Sequence, residues 1–137
     1  MENLLIKINY KGYERICVQN AGKRFLKSLS RHLKDIRIDE AIDPRFLYEF
    51  IIIFANSAQD VDLSAHRAIH NLYDDGILWY VFPKNVSDGD ENALTRKKGW
   101  NACKSAGFEP VRLISFDDNL SAMRFRNKKY ISRRNRK

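Results

Sequence analysis

The chain has 137 residues, 44% of them hydrophobic and 12% aromatic, which fits one folded domain and excludes a mostly disordered polypeptide. The longest apolar run, around Ile51–Ala55, is strand-sized and far short of a membrane helix, and Met1-Glu2-Asn3-Leu4 lacks the plan of a secretory leader, so a cytoplasmic protein without a membrane partner is expected. The net charge of +8 is placed unevenly: all 17 acidic residues lie at or before Asp118, while 8 of the 25 basic residues fall between Arg124 and Lys137.

Ile16-Cys17-Val18 is a short apolar run after Tyr13 and reads as a buried strand. Gln19-Asn20-Ala21-Gly22 turns into a helix whose apolar face is Gly22, Phe25, Leu26, Leu29 and Leu33. Its wet face, Lys23, Arg24, Lys27, Arg31 and Lys34, is wholly basic. Ile36 and Ile38 alternate with charged residues, as in a short edge strand. Phe50-Ile51-Ile52-Ile53-Phe54 is uninterrupted and β-branched, the pattern of a strand covered on both faces. The link between these two strands is short for a parallel crossover.

A second helix is expected to start at Asp62 or Ser64, bury Ala65, Ala68, Ile69 and Leu72, and stop at Asp74-Asp75-Gly76. Ile77 to Phe82 is a second buried strand, ended by Pro83. Residues 85–92 read as an exposed loop, and a third helix is expected from about Thr95 to Ala106, closed by Gly107. Val111–Phe116 and Ser121–Phe125 flank Asp117-Asp118-Asn119 and should pair as a hairpin. Residues 1–127 form the expected domain, and 128–137 a flexible basic tail. Cys17 and Cys103 cannot make a disulfide framework and read as small core hydrophobes.

This alternation of strands and helices predicts a three-layer α/β fold with a mostly parallel sheet. The closing hairpin makes the last strand antiparallel. From Gly76 onward the sequence resembles a family of small bacterial proteins carrying a domain of unknown function. The resembling blocks are Gly76-Ile77-Leu78-Trp79 with Pro83-Lys84, Leu94-Thr95-Arg96, Gly107-Phe108-Glu109-Pro110-Val111, and Asp117 to Phe125. That family has Trp where this chain has Leu120, and it supplies no activity. The order of elements also resembles a reduced, Rossmann-like class I methyltransferase fold, which implies, numbering strands along the chain, the order 2-1-3-4-6-5 with the last strand antiparallel. That resemblance implies S-adenosylmethionine at the loop after the first strand, here Gln19-Asn20-Ala21-Gly22 with a single glycine, and an acid about 20 residues on, here Asp39-Glu40.

Candidate chemistry is sparse. Lys84 follows a central strand, at the edge where open α/β sheets bind ligands. Arg96, Lys97 and Lys98 stand near the expected start of the third helix and could join Lys84 around an anion. The alternative is that Arg96 pairs with Asp88 or Asp90. Asp117, Ser121 and Arg124 mark the closing hairpin, where Asp117 and Ser121 can bond the turn backbone. His66 and His70 are spaced i, i+4, yet Arg67 stands where a zinc protease needs glutamate and no third ligand is evident, so no metal is expected. Lys128, Lys129, Arg133, Arg134, Arg136 and Lys137 are candidates for nucleic-acid phosphates.

Three functions are therefore open, in this order. The first is a non-enzymatic binding or regulatory module with an anion-accepting edge near Lys84 and Arg96. The second is a nucleic-acid-associated protein using the tail. The third is an S-adenosylmethionine- or nucleotide-binding enzyme, or a degenerate one. No cofactor and no nucleophile–base pair is predicted.

Overall fold

A computed structural model describes residues 1–85 and 89–131. Asp88, Arg133, Arg134, Arg136 and Lys137 lie outside the described residues. Along the chain the elements are α1 (Glu2–Lys7), β1 (Arg15–Gln19), α2 (Lys23–His32), β2 (Arg37–Asp39), β3 (Tyr48–Phe54) and α3 (Ala58–His70). They continue with β4 (Leu72–Pro83), α4 (Asn101–Ser105), β5 (Phe108–Ser115), β6 (Leu120–Asn127) and a 3-10 turn, Lys128–Tyr130. No helix of the described residues is long and apolar enough to cross a membrane.

One six-stranded sheet has the order β2-β1-β3-β4-β6-β5. β1 pairs in parallel with β2 and β3, and β3 in parallel with β4. β6 runs antiparallel to both β4 and β5. This is the expected three-layer plan, strand order included.

The apolar run of β3 is explained by its two faces. Ile51 and Ile53 pack with Val61, Ala65 and Ala68 of α3 and with Trp100 and Cys103 at α4. Phe50 and Ile52 pack on the other side with Leu5 and Ile8 at α1 and Leu29 of α2. Complete burial of each such side chain contributes about 1.5–3 kcal/mol. Cys17 and Cys103 are both fully buried in the first of these cores. Three of the polar side chains taken inside are paired: Tyr80 and Ser64 share a hydroxyl hydrogen bond of 2.7 Å, and Trp79 Nε1 donates to Ile8 O at 2.9 Å.

The structure departs from the expected elements at five places. α1 was not legible, because six residues are too short to show helical periodicity. α3 begins five to seven residues earlier than expected, capped by Ser57, whose side chain accepts from Asp60 N at 3.2 Å. Leu72 and Gly76 belong to β4 rather than to the end of that helix. The pairing jumps from Tyr48–Leu72 to Phe50–Ile77, so residues 73–76 bulge out of the ladder. Gly76 fits there because a Cβ would come within 2.8 Å of Leu72 Cδ1.

The third helix is only five residues long. Gly99 has φ +100°, and a Cβ on it would stand 2.5 Å from Leu94 Cδ2, so the chain turns where helix was expected. Finally, β5 starts at Phe108, ahead of the expected Val111, because Pro110 is accommodated at a register shift.

The short link between β2 and β3 is also explained. β2 is not the neighbour of β3: the connection 40–47 passes β1 without a helix, and Ile42 and Phe46 fill the space beneath it. Polar groups fix it in place. Arg15 Nε donates to Asp39 at 2.7 Å and its Nη2 to Asp43 at 3.0 Å. Tyr48 OH donates to Asp39 and accepts from Asp43 N at 3.0 Å. Buried Asn71 donates to the carbonyls of Asp43 and Phe46 at 3.2 and 2.9 Å.

The backbone N–H of Arg45, then the Arg15 guanidinium, hold the Asp43 carboxyl down at about 2. Burial pushes Asp39 up, but hydrogen bonds from Tyr48, Arg15 and Arg37 outweigh it and leave Asp39 below the usual carboxylate range. Both groups therefore bind protons more weakly folded than unfolded, so their contribution is complete above about pH 5 and lost as pH falls toward their folded values. Urea unfolding followed from pH 6 to pH 2 should show stability dropping steeply in the acid limb. Arg15→Met should flatten that limb while lowering stability at pH 6. An acid limb as steep in the variant as in the parent would refute this account.

Candidate functional site

The carboxyl ends of β1 and β3 part at the point where the strand order reverses. The chain leaves β1 for α2 and β2 on one side, and leaves β3 for α3 and β4 on the other. In open α/β sheets such a reversal leaves a crevice for ligands. Asn20 holds a left-handed φ of 63°, and its Nδ2 donates to Phe54 O at 3.3 Å, tying the two strand ends together.

The helices on either side of this point begin very differently. α3 is closed at its amino end. Ser57 caps it, and Asp60 reaches back to accept at 2.8 Å from the N–H of Asn56, the residue before the cap. Asn92 then covers the first turn, accepting from Ala58 N at 2.8 Å and, through Oδ1, from Gln59 N at 3.0 Å. α2 has none of this. Its N-cap is Gly22, no side chain caps it, and its first turn has no acidic residue. Lys23 and Arg24 stand there instead, both exposed, where the helix dipole disfavours cations. A Cβ on Gly22 would meet nothing within 4 Å, so the space above this loop is open.

Asp39, one of the two expected acids, is already committed: Arg15, Arg37 and Tyr48 all donate to its carboxylate. Glu40, the next residue, is exposed. It is the acid of this pair left for a ligand.

The other sequence candidates do not converge. Lys84 sits on the carboxyl rim but turns to the closing hairpin, where its Nζ donates to Ser115 Oγ at 2.6 Å and its N–H to Asn119 O at 2.9 Å. Arg96 and Lys97 are exposed in a loop closed by Thr95 N donating to Lys98 O at 3.1 Å, not at a helix start. Arg96 has no ion pair among the described residues, and of the expected partners the Asp90 carboxylate accepts from Asn92 N at 2.9 Å while its carbonyl accepts from Lys98 Nζ at 3.1 Å. Asp117 makes the turn, with Oδ1 accepting from Asn119 N and Leu120 N at 2.8 Å each. Ser121 pairs with Phe82 and Ser115 in the ladder, and Arg124 lies farther along β6, toward the opposite rim. Lys128 and Lys129 are exposed in the 3-10 turn. His66 and His70 stack on the outer face of α3 with centroids 6.5 Å apart, and no group of three or more potential metal ligands occurs among the described residues.

Sequence reading located the loop 19–22 but missed the open end of α2. The available signal was the run Gly22-Lys23-Arg24, a helix start with cations where a cap and an acid are usual.

Neither a family model nor a curated protein matches the chain. Solved structures do. A SAM dependent methyltransferase from Aquifex aeolicus superposes with TM-score 0.61 at 12% identity, covering 92% of this chain and 88% of its own. The N-methyltransferase NodS from Bradyrhizobium japonicum WM9, in complex with S-adenosyl-L-homocysteine, gives 0.57 at 11% identity over 92% and 84%. The glycopeptide N-methyltransferase MtfA gives 0.59 at 6% identity over 90% and 92%. At these identities the likeness concerns the fold: the chain has the Rossmann-like architecture of the class I methyltransferases.

Proposed function

We propose that this chain binds S-adenosylmethionine, or a nucleotide of similar build, at the carboxyl rim between β1 and β3, and that it serves methyl transfer. The observation that carries the reading is the uncapped, open amino end of α2 at the reversal of strand order. The free N–H groups of that first turn, with Lys23 and Arg24, suit the carboxylate of the methionine moiety. Glu40 suits the ribose hydroxyls, since Asp39 is held by Arg15, Arg37 and Tyr48. When bound, the sulfonium supplies an already activated methyl group. The protein's part is then to orient donor and acceptor rather than to provide a nucleophile. The lack of a nucleophile–base pair in the sequence therefore argues against a hydrolase and not against this reaction.

Titration calorimetry with S-adenosylmethionine and S-adenosylhomocysteine tests the reading. Gly22→Thr keeps a residue of similar capping quality, with stability changed by no more than about 0.5 kcal/mol, while adding bulk to the open space. It should weaken binding at least about tenfold, roughly 1.4 kcal/mol. Glu40→Ala should weaken binding without affecting stability, whereas Asp39→Asn should lower the urea midpoint. Lys84→Ala should change neither. Absence of binding to either compound and to ATP, or undiminished binding by Gly22→Thr, would dismiss the site.

A second reading concerns the partner, and one feature favours it: α2 (KRFLKSLSRH) contains no acid, and Lys23, Arg24, Lys27 and Arg31 are all exposed along it. Such a face leading from the rim suits a nucleic-acid backbone, with Lys128 and Lys129 as further contacts. Anisotropy of a labelled RNA or duplex DNA titrated from 50 to 200 mM KCl should show log affinity falling with log salt. On duplex DNA the slope is about −0.9 for each phosphate contacted. Lys27→Glu with Arg31→Glu should reduce both affinity and slope. Binding that ignores salt, or that survives the double variant intact, would count against it.

A further inference from the structure

At the opposite, amino-terminal rim of the sheet lies one side-chain polar atom that is buried without a partner, alone of its kind among the described residues: Nε of Arg124. Arg124 pairs across β6 with Trp79 of β4 and Arg112 of β5, and shares the face of the sheet that Trp79 presents to α1. Its neighbour Arg126 is satisfied by a bidentate pair to Asp75, both bonds 2.7 Å. Arg124 has no such acid. Burial, then repulsion from Arg126, pulls its pKa below the usual guanidinium value. The residue is only partly buried, so the rest of the guanidinium is open to an acceptor from outside the chain, and a carboxylate there would offset the cost of the unpaired Nε–H.

Arg124 lines a cleft of about 310 Å³. The bulge at 73–76 forms one wall, set by Asp75 in the left-handed region at φ 54° and by Gly76. Tyr13, stacked on Phe50 with centroids 5.6 Å apart, contributes an apolar surface. Besides Arg124 the charged lining groups are Lys11, Glu49, Asp74 and Asp75. Asp75 is neutralised by Arg126, which leaves two cations facing two carboxylates.

We propose that this cleft binds a small zwitterion of amino-acid type, with its carboxylate on Arg124 and its ammonium group beside Glu49 and Asp74. A phosphate would face those two carboxylates unshielded, and a simple amine would leave Arg124 without an acceptor. The site lies on the other rim from the nucleotide-binding site proposed above and does not depend on it.

The test is a ¹⁵N–¹H spectrum of the full chain titrated with L-alanine, acetate, methylammonium and inorganic phosphate. The Arg124 Nε–Hε signal is identified by its loss in Arg124→Lys. L-Alanine should shift it together with the amides of Tyr13 and Gly76, acetate should do so more weakly, and methylammonium and phosphate should not. Arg124→Lys should reduce the amide response at least tenfold. Glu49→Gln, a change at an exposed position, should weaken alanine binding while leaving acetate unaffected, and it keeps the test valid if the arginine variant fails to fold. Gly22→Thr should leave the alanine response intact. The proposal fails if alanine moves none of these signals, if phosphate binds as well as alanine, if Glu49→Gln binds alanine unchanged, or if Gly22→Thr abolishes the response.

Discussion

The arrangement of this molecule depends on Arg15. A parallel crossover normally brings its own helix, which covers the sheet and sets the spacing of the strands it joins. The passage from β2 to β3 has no helix, and a guanidinium held between Asp39 and Asp43 takes over the positioning task. Asp39 lies on β2, Arg15 on β1, Tyr48 on β3, and Asp43 in the connection itself, so one polar cluster spans three strands. The cluster is half-buried, with side-chain exposures of 17% for Arg15 and 10% for Asp39, which makes it less screened than a surface pair. Removing one partner would leave the others desolvated and unpaired, which is why such groups are costlier to break than their net contribution implies. The position of β2, and with it the point where the strand order reverses, follows from this contact.

The same cluster shows where sequence reading stops. Strand identity was legible because it follows from apolar periodicity, as in the five residues from Phe50 to Phe54, and the order because the succession of elements resembles a known plan. The misreadings came from single residues whose backbone state is set by tertiary contact. Gly99 looked like a tolerated helix glycine and is instead a φ +100° turn packed against Leu94. Gly76 looked like a helix stop and sits inside a strand bulge. The acid pair at 39–40 was found by spacing, but spacing is blind to side-chain direction, and only coordinates show that Asp39 is spent on Arg15 and Tyr48. Arg124 was grouped with the closing turn by proximity in sequence, although a strand of eight residues carries it toward the far rim.

At each end of the sheet the chain satisfies one group and leaves a like one open. At the carboxyl rim α3 is closed by Ser57, Asp60 and Asn92, while α2 is left with unanswered N–H groups and two lysine or arginine charges in its first turn. At the amino rim Arg126 is fully paired and Arg124 beside it is not. In both places a satisfied group and an unsatisfied one of the same chemistry stand close together in the fold.

That contrast bears on what the fold can do. The stability a chain of this size can draw on is small, about 5–15 kcal/mol for a typical domain, and an uncapped helix end with cations and a buried unpaired N–H each subtract from it. Both deficits could be relieved by changes as slight as a serine at position 22 or a carboxylate near Arg124. The deficits are local, lie in open space or in a cleft, and leave the two cores untouched. On the two proposals above, a ligand carboxylate at either place would return the missing hydrogen bonds, and binding to the folded state alone would stabilise it.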